Sequence, residues 1–342
     1  MAGSLESRLK ITRKQILAFR RRVGALDERM PMGPESLRRA AWAGLQDSMP
    51  RAALLSLYAR VHSVESSTWE HPSLAQLWGP RYSTYVVPKR DFALFSLGRL
   101  PDNARGRLRA ERMAEGLRAH LDAGRMTDCE AMAALGVGNA IRYAATTGTV
   151  AIRWEGARAP TVWTVPAPTI DPADACRGLA RRYLHVFGPT TADSFARWAG
   201  ISRSSGAAAF ASLEGSLLPV RSPLGEEWLL AEDEPAIRAG ETAAAPARLL
   251  PSGDAYFLLD GAERTLLVPH KNQRQLLWTP RVWPGALLVE GEIRGTWRRA
   301  QHTVRIDAWT RTSRRAREAV EAEARALPLP GLDRPIEVVW EA

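Results

Sequence analysis

Two stretches of this chain run through the same series of local signals, one about 64 residues after the other, and this repetition limits the fold more than any single motif does. In the first stretch, Thr127 to Leu135 predicts a short helix, with Thr127 as N-cap and Glu130 three residues on completing a capping box. Gly136-Val137-Gly138 breaks it, and Asn139 caps a second helix from Ala140 to about Thr146. Strands at Thr149 to Trp154 and Thr161 to Val165 follow, around a loop from Glu155 to Pro160. In the second stretch, Thr191 to Ala199 and Ser202 to Leu213 predict helices around Gly200-Ile201. Leu217 to Val220 and Glu227 to Leu230 then predict a hairpin turning at Ser222-Pro223-Leu224-Gly225. The turn glycines Gly136 and Gly200 stand 64 residues apart, and the hairpin tryptophans Trp163 and Trp228 stand 65 apart. A helix-turn-helix followed by a β-hairpin is a winged helix.

With 342 residues, the chain has room for two or three compact units. Residues 101–168 and 172–234 are predicted as winged-helix units two and three, and residues 8–100 by elimination as a divergent first unit. There Leu37 to Leu45 and Pro50 to Val61 predict helices separated by Gln46-Asp47-Ser48-Met49, and Arg81 to Pro88 predicts a strand; Asn103 to His120, at the start of the second unit, predicts a helix. Beyond Pro246 the pattern becomes β, with short strands at Tyr256 to Leu259, Arg264 to Val268, Ala286 to Glu290, Glu292 to Trp297 and His302 to Ile306. A helix from Ser313 to Leu327 and a strand from Pro335 to Trp340 end the chain. The expected class is α+β: tandem winged-helix units and a β-barrel-like domain with a C-terminal helix over residues 245–342.

Lys and Arg number 47 against 37 Asp and Glu, a net charge of +10 and a sequence pI near 10.2. Such a field favours a polyanion. Lysine occurs only at Lys10, Lys14, Lys89 and Lys271. Arginine's planar fork suits phosphate and base edges, but a composition rich in Ala, Gly and Pro yields the same preference through GC-rich codons, so the net charge carries more weight. Eight cations against three acids fall between Met1 and Met30, and eight against Asp307 alone between Arg294 and Arg317. Such runs form either solvated helix faces or a shared basic groove. Cys129 and Cys176 are too few for a disulfide framework or a four-thiolate zinc site, and a cytoplasmic location is expected. The six histidines lack ligand spacing and no Gly-rich phosphate loop occurs, so neither metal nor nucleotide cofactor is expected. Met1 to Lys14 lacks a signal-peptide core, and no apolar run approaches 18 residues. The expected partner is double-stranded DNA, damaged DNA included, bound by a monomer away from membranes.

Helix-turn-helix units place their second helix in the major groove. The candidate contacts are Asn139, Arg142, Tyr143, Arg153 and Arg158 in the second unit, and Ser202, Arg203, Ser204 and Arg221 in the third. Winged helices also serve as protein-interaction scaffolds, a reading under which duplex affinity is weak and nearly independent of salt.

The stretch Gly44-Leu45-Gln46-Asp47-Ser48-Met49-Pro50-Arg51-Ala52-Ala53-Leu54-Leu55-Ser56-Leu57-Tyr58-Ala59-Arg60, the two repeats, and Gly295-Thr296-Trp297-Arg298-Arg299 together resemble the AlkZ/YcaQ-type winged-helix DNA glycosylase family. The resemblance covers about Leu9 to Leu327 and is specific as an ensemble. It implies three winged helices around a β-barrel, a concave basic surface that includes Arg298 and Arg299, and hydrolysis of the N-glycosidic bond of alkylated or crosslinked bases. It also implies a catalytic Gln-x-Gln or Gln-x-Asp element. Gln46 takes the first position and would hold a water, with Asp47 or Ser48 assisting; Ser48 at the third position departs from the pattern. Arg60 and Arg81 would orient the element or bind phosphate. A second departure is Arg81-Tyr82-Ser83-Thr84-Tyr85, where the family shows an Arg-x-Thr-x-His-like run. Asp47 and Ser48 read equally as caps of the helix near Pro50. The competing function is a noncatalytic DNA-binding regulator or lesion sensor.

Overall fold

In the computed structural model, residues 8–122, 124–156, 158–240 and 245–341 are described. Glu6, counted in the amino-terminal charge run, and residue 157 of the predicted loop lie outside them, as do residues 241–244 and 342.

A six-stranded sheet orders Leu45–Gln46, Thr84–Pro88, Leu74–Trp78, Val150–Arg153, Thr161–Thr164 and Met126–Thr127. The hairpin of the first repeat therefore extends the sheet of the preceding segment, joined at Gln76 opposite Ile152. Beneath it, Trp78, Val150, Ile152 and Val162 pack on Ala114, Leu117 and Leu121 of helix Ala104–Leu121 and on Ala131 and Ile141 of the repeat. Asn103 caps the long helix through the Gly106 amide. The Thr127/Glu130 capping box forms as its spacing predicts, and Gly136 ends that helix at φ 64°.

Four elements of this region differ from expectation. The second helix of the repeat is a 3-10 segment, Gly138–Thr147. Thr146 and Thr147 turn their hydroxyls onto the carbonyls of Tyr143 and Ala144, three residues back, which favours the tighter winding. The two helices around Gln46 are shorter than predicted, Pro34–Ala40 and Ala52–Tyr58, because Leu45–Gln46 is drawn into the sheet opposite Val86 and Tyr85. Strand Leu74–Trp78 has no counterpart in the sequence reading.

The second repeat contains helices Ala192–Ala199 and Arg203–Ala211 and hairpin strands Leu217–Ser222 and Gly225–Leu230. Thr191 and Ser202 cap the helices. An unanticipated helix, Pro172–Phe187, precedes them, and its Tyr183 and Phe187 join Phe195 and Trp198 in an aromatic cluster. Strand Leu9–Lys10 pairs in parallel with the hairpin, Leu9 opposite Val220, and leads into helix Arg13–Val23.

The carboxyl-terminal sheet is open and not a barrel. Its order is Arg248–Leu250, Gly285–Val289, Glu292–Ala300, Thr303–Ala308 and Glu337–Trp340, with the last strand parallel to its neighbour. Helix Arg314–Arg325 carries the chain back and lays Val320 and Ala324 on Leu287, Trp297, Val304 and Ile306. Helix cover buries that face without closure. The predicted strands at 256–259 and 264–268 are absent as well. Tyr256 to Leu259 are buried in turns, and Glu263–Leu267 and Lys271–Leu277 are helices. Short apolar runs suit either state, and here contacts with the rest of the chain decide. Among the described residues no helix is long and apolar enough to cross a membrane.

Candidate functional site

Gly44 precedes the Gln46 strand at φ +73°, where an added Cβ would stand 2.9 Å from the Tyr85 ring, so the chain turns here only with glycine. Sheet pairing then sends the neighbouring side chains of Gln46 and Asp47 in different directions.

Asp47 faces inward and is 1% exposed. One carboxylate oxygen accepts from the Ala53 amide in the first turn of the following helix, and the other accepts from Gln76 Nε2, both at 3.0 Å. Gln76 in turn accepts from the Trp154 amide at 2.7 Å. The structure thus withdraws Asp47 from contact with a substrate: it caps a helix, as one of the two sequence readings had it. Ser48 is exposed and makes no cap; its hydroxyl oxygen accepts from Gln46 Nε2 at 2.7 Å.

Burial pushes the Asp47 carboxyl up to about 6, against hydrogen bonds and the Arg51 charge that favour its ionised form. A raised folded-state value means that its stabilising contribution is whole below the unfolded value near 4 and lost as pH rises to about 6. Asp47→Asn titrates at neither pH. The stability of the native protein relative to Asp47→Asn should therefore fall by roughly 2–3 kcal/mol between pH 4 and 7, measured by urea unfolding at each pH. A flat difference would show that Asp47 has no raised value.

Gln46 is half-buried, and its Oε1 has no hydrogen-bond partner. Across from it lies Gly253 at φ +77°, where a Cβ would come within 3.3 Å of the Gln46 side chain. That glycine is held by its neighbour. Asp254 is fully buried and takes both guanidinium nitrogens of Arg60, each at 2.7 Å, together with the Ser56 hydroxyl at 2.7 Å. Ser56 belongs to helix Ala52–Tyr58 and Arg60 follows it, so this fork fastens the 251–254 loop onto the helix that follows the Gln46 element. Arg60 is thereby buried and paired internally, which leaves its guanidinium out of reach of a phosphate.

Beside the element opens a cleft of about 320 Å³, walled by Met49, Pro50, Pro251, Ser252, Trp283 and Trp297 and edged by exposed Arg298 and Arg299. No lysine lines it among the described residues.

The two charge runs meet different fates. Five arginines of the amino-terminal run form an internal staple, while Arg8 pairs with Glu226 at the surface and Lys10 and Lys14 are exposed. Arg20 and Arg21 are buried, Arg20 donating to the carbonyls of Phe187, Gly188 and Pro189, and Arg21 to Asp27 and the Gly291 carbonyl. Arg13 and Arg29 pair with Glu292 and Glu323, and Arg22 reaches the carbonyls of Ala236 and Gly240. In the carboxyl-terminal run, Arg298, Arg299, Arg305, Arg311, Arg314, Arg315 and Arg317 are exposed.

The helix-turn-helix candidates are also divided. Asn139, Arg158, Arg203 and Arg221 are exposed, although Arg221 stands opposite Glu226 in its hairpin. Tyr143 packs edge-on against Tyr82 and under Arg109, and Arg142 reaches back to the Tyr82 carbonyl. Arg153 is committed to Glu70 and Glu155. Ser202 and Ser204 donate to Asp102, which the surrounding hydroxyls hold down to about 2; an internal carboxylate occupies that helix start. Arg81 is exposed at φ 53°, and its backbone lies against the Gly200 turn. Sequence reasoning missed Gln76, Gly253 and Asp254; the turn-like run Pro251-Ser252-Gly253-Asp254 was the available signal for the last two, and Gln76 carried none.

The family model described as "DNA glycosylase AlkZ-like" matches residues 39–328. Streptomyces sahachiroi DNA glycosylase AlkZ has a similar structure, with a TM-score of 0.78 at 18% identity, over 97% of this chain and 100% of that one. No curated protein matched the sequence.

Proposed function

Because the chain belongs to the AlkZ-like DNA glycosylase family, we propose that it binds duplex DNA through residues 8–100, 101–168 and 172–234 as three winged-helix units and hydrolyses the N-glycosidic bond of alkylated or crosslinked bases. The observation that carries this reading is the Oε1 of Gln46, buried without a hydrogen-bond partner on the short strand that leads into the Met49-Pro50 wall of an arginine-edged cleft. Hydrolysis needs a water aimed at the anomeric carbon and relieved of a proton as positive charge develops on the sugar. Gln46 Oε1 accepts a hydrogen bond from that water. Ser48 occupies the amide nitrogen, which leaves the buried oxygen as the free acceptor. Asp47 assists by its charge from behind the strand rather than by contact. The lysine-free lining of the cleft favours water as the nucleophile over an amine.

The test is base release from duplex containing N7-methylguanine or a crosslinked purine, compared between the native protein and Gln46→Ala. The native protein should release base, and no release from either would overturn the reading.

Arg298 and Arg299 supply phosphate contacts in this scheme. Replacing both with alanine should weaken duplex binding uniformly across sequences and flatten the slope of log K against log salt by about 2, measured by fluorescence anisotropy. An unchanged slope would place them off the DNA.

Ser48 favours a second reading, a noncatalytic lesion sensor, since a serine supplies neither the carboxylate nor the second amide of the family's element. In that case salt-sensitive binding survives Gln46→Ala, the native protein releases nothing, and Ser48→Asp creates release.

A further inference from the structure

A cavity of about 750 Å³ shares no lining residue with the cleft beside Gln46. It lies over strand Leu74–Trp78 and the hairpin of the first repeat, with Trp69, Trp163 and Phe92 as walls. Its depth comes from sequence: Ala75, Ala93 and Ala151 line it where larger side chains would fill it. A cavity of this size and apolar character suits a drug-sized ligand, most of whose surface it would bury.

The charges around it define the ligand. Four cations, Lys89, Arg90, Arg125 and Arg153, line the cavity against the single carboxylate Glu70. Arg153 is committed to Glu70 and Glu155, and Arg90 to Glu35. Lys89 and Arg125 have no carboxylate partner among the described residues and are exposed. Arg125 lies over the Trp163 ring at 4.6 Å, so a guanidinium fork and an indole stand together at the mouth. At the floor, Gln76 has its amide nitrogen bound to Asp47 and its oxygen to the Trp154 amide, which leaves recognition to the aromatic walls and the cationic rim.

We propose that this cavity binds a small planar aromatic anion, its rings against Trp163 and Trp69 and its acidic group on Arg125 and Lys89. Flat apolar walls select the rings, and a planar cation next to an indole selects the carboxylate or phosphate.

The test is titration calorimetry on the full chain with 2-naphthoate and its neutral analogue 2-naphthamide. Naphthoate should bind saturably at one site, and the amide about tenfold more weakly, the effect of losing one charge-assisted hydrogen bond. Arg125→Ala, an exposed change that leaves the core untouched, should weaken naphthoate by about tenfold. Ala93→Trp, with an unchanged circular dichroism spectrum, should abolish binding. Saturating duplex DNA should not displace the ligand. Absence of saturable binding, equal affinity for the amide, indifference to both substitutions, or displacement by duplex would each overturn the proposal.

Discussion

Gln46→Ala should leave a folded, duplex-binding protein whose rate of base release falls on the order of 10²–10³-fold, the cost of deleting one preorganised polar contact to a reacting centre. The structure explains why the loss should be in rate rather than in stability. The Gln46 side chain is half-buried, its oxygen has no internal partner, and its nitrogen binds only exposed Ser48. Removing it therefore strands no buried donor. Single-turnover release assays alongside anisotropy would separate the two quantities. A parallel fall in duplex affinity would mean that Gln46 binds DNA, not water.

The second large effect is expected at Asp254. Asp254→Ala leaves the Arg60 guanidinium buried without its counter-charge, a change that costs about 3–5 kcal/mol. In a chain of this size the melting temperature should fall on the order of 10 °C by calorimetry. Pairing Arg60→Met with Asp254→Leu removes both charges and should recover much of the loss, which identifies stranded charge rather than lost packing as the cause. Both variants also release the 251–254 loop from helix Ala52–Tyr58. Gly253 then no longer confines Gln46, so base release should be depressed even in the recovered double variant. Full activity there would show that the fork serves stability alone.

How much of this was legible in the sequence depends on the range of the interaction involved. The Thr127/Glu130 box, the Ser313 cap and the turn glycines Gly136 and Gly200 are set within three or four residues and appear where the pattern puts them, whereas the cap expected at Asn139 does not form and that residue lies inside the 3-10 segment. Helices Arg13–Val23 and Pro172–Phe187 carried equally local signals, a Thr12/Gln15 box and an Asp171-Pro172 start, that went unread. Other features had no local signal to read. Strand Leu45–Gln46 is two residues long and exists because Val86 and Tyr85 pair with it. Asp47 is turned inward by Gln76, 29 residues away. Whether the last sheet closes depends on where helix Arg314–Arg325 lies, not on the spacing of its strands.

Charge counting shows the same division. The amino-terminal arginines look like half of a nucleic-acid surface when counted, yet Arg20, Arg21 and Arg22 are spent on internal carbonyls. A sum over residues is blind to burial, so the carboxyl-terminal run keeps the meaning that the count gave to both, and the amino-terminal run keeps it only at exposed positions such as Lys10 and Lys14.

The parallel pairing of Leu9 with Val220 has a bearing on how the molecule is made. Residues near the start of the chain find their partner strand only after more than two hundred further residues have been synthesised, and Arg20 likewise waits for the carbonyls of Phe187 to Pro189. Contacts of such long sequence separation form late and slowly. A segment synthesised well before its partners is thus among the last to settle, and its arginines act as a latch that fastens an assembly already in place.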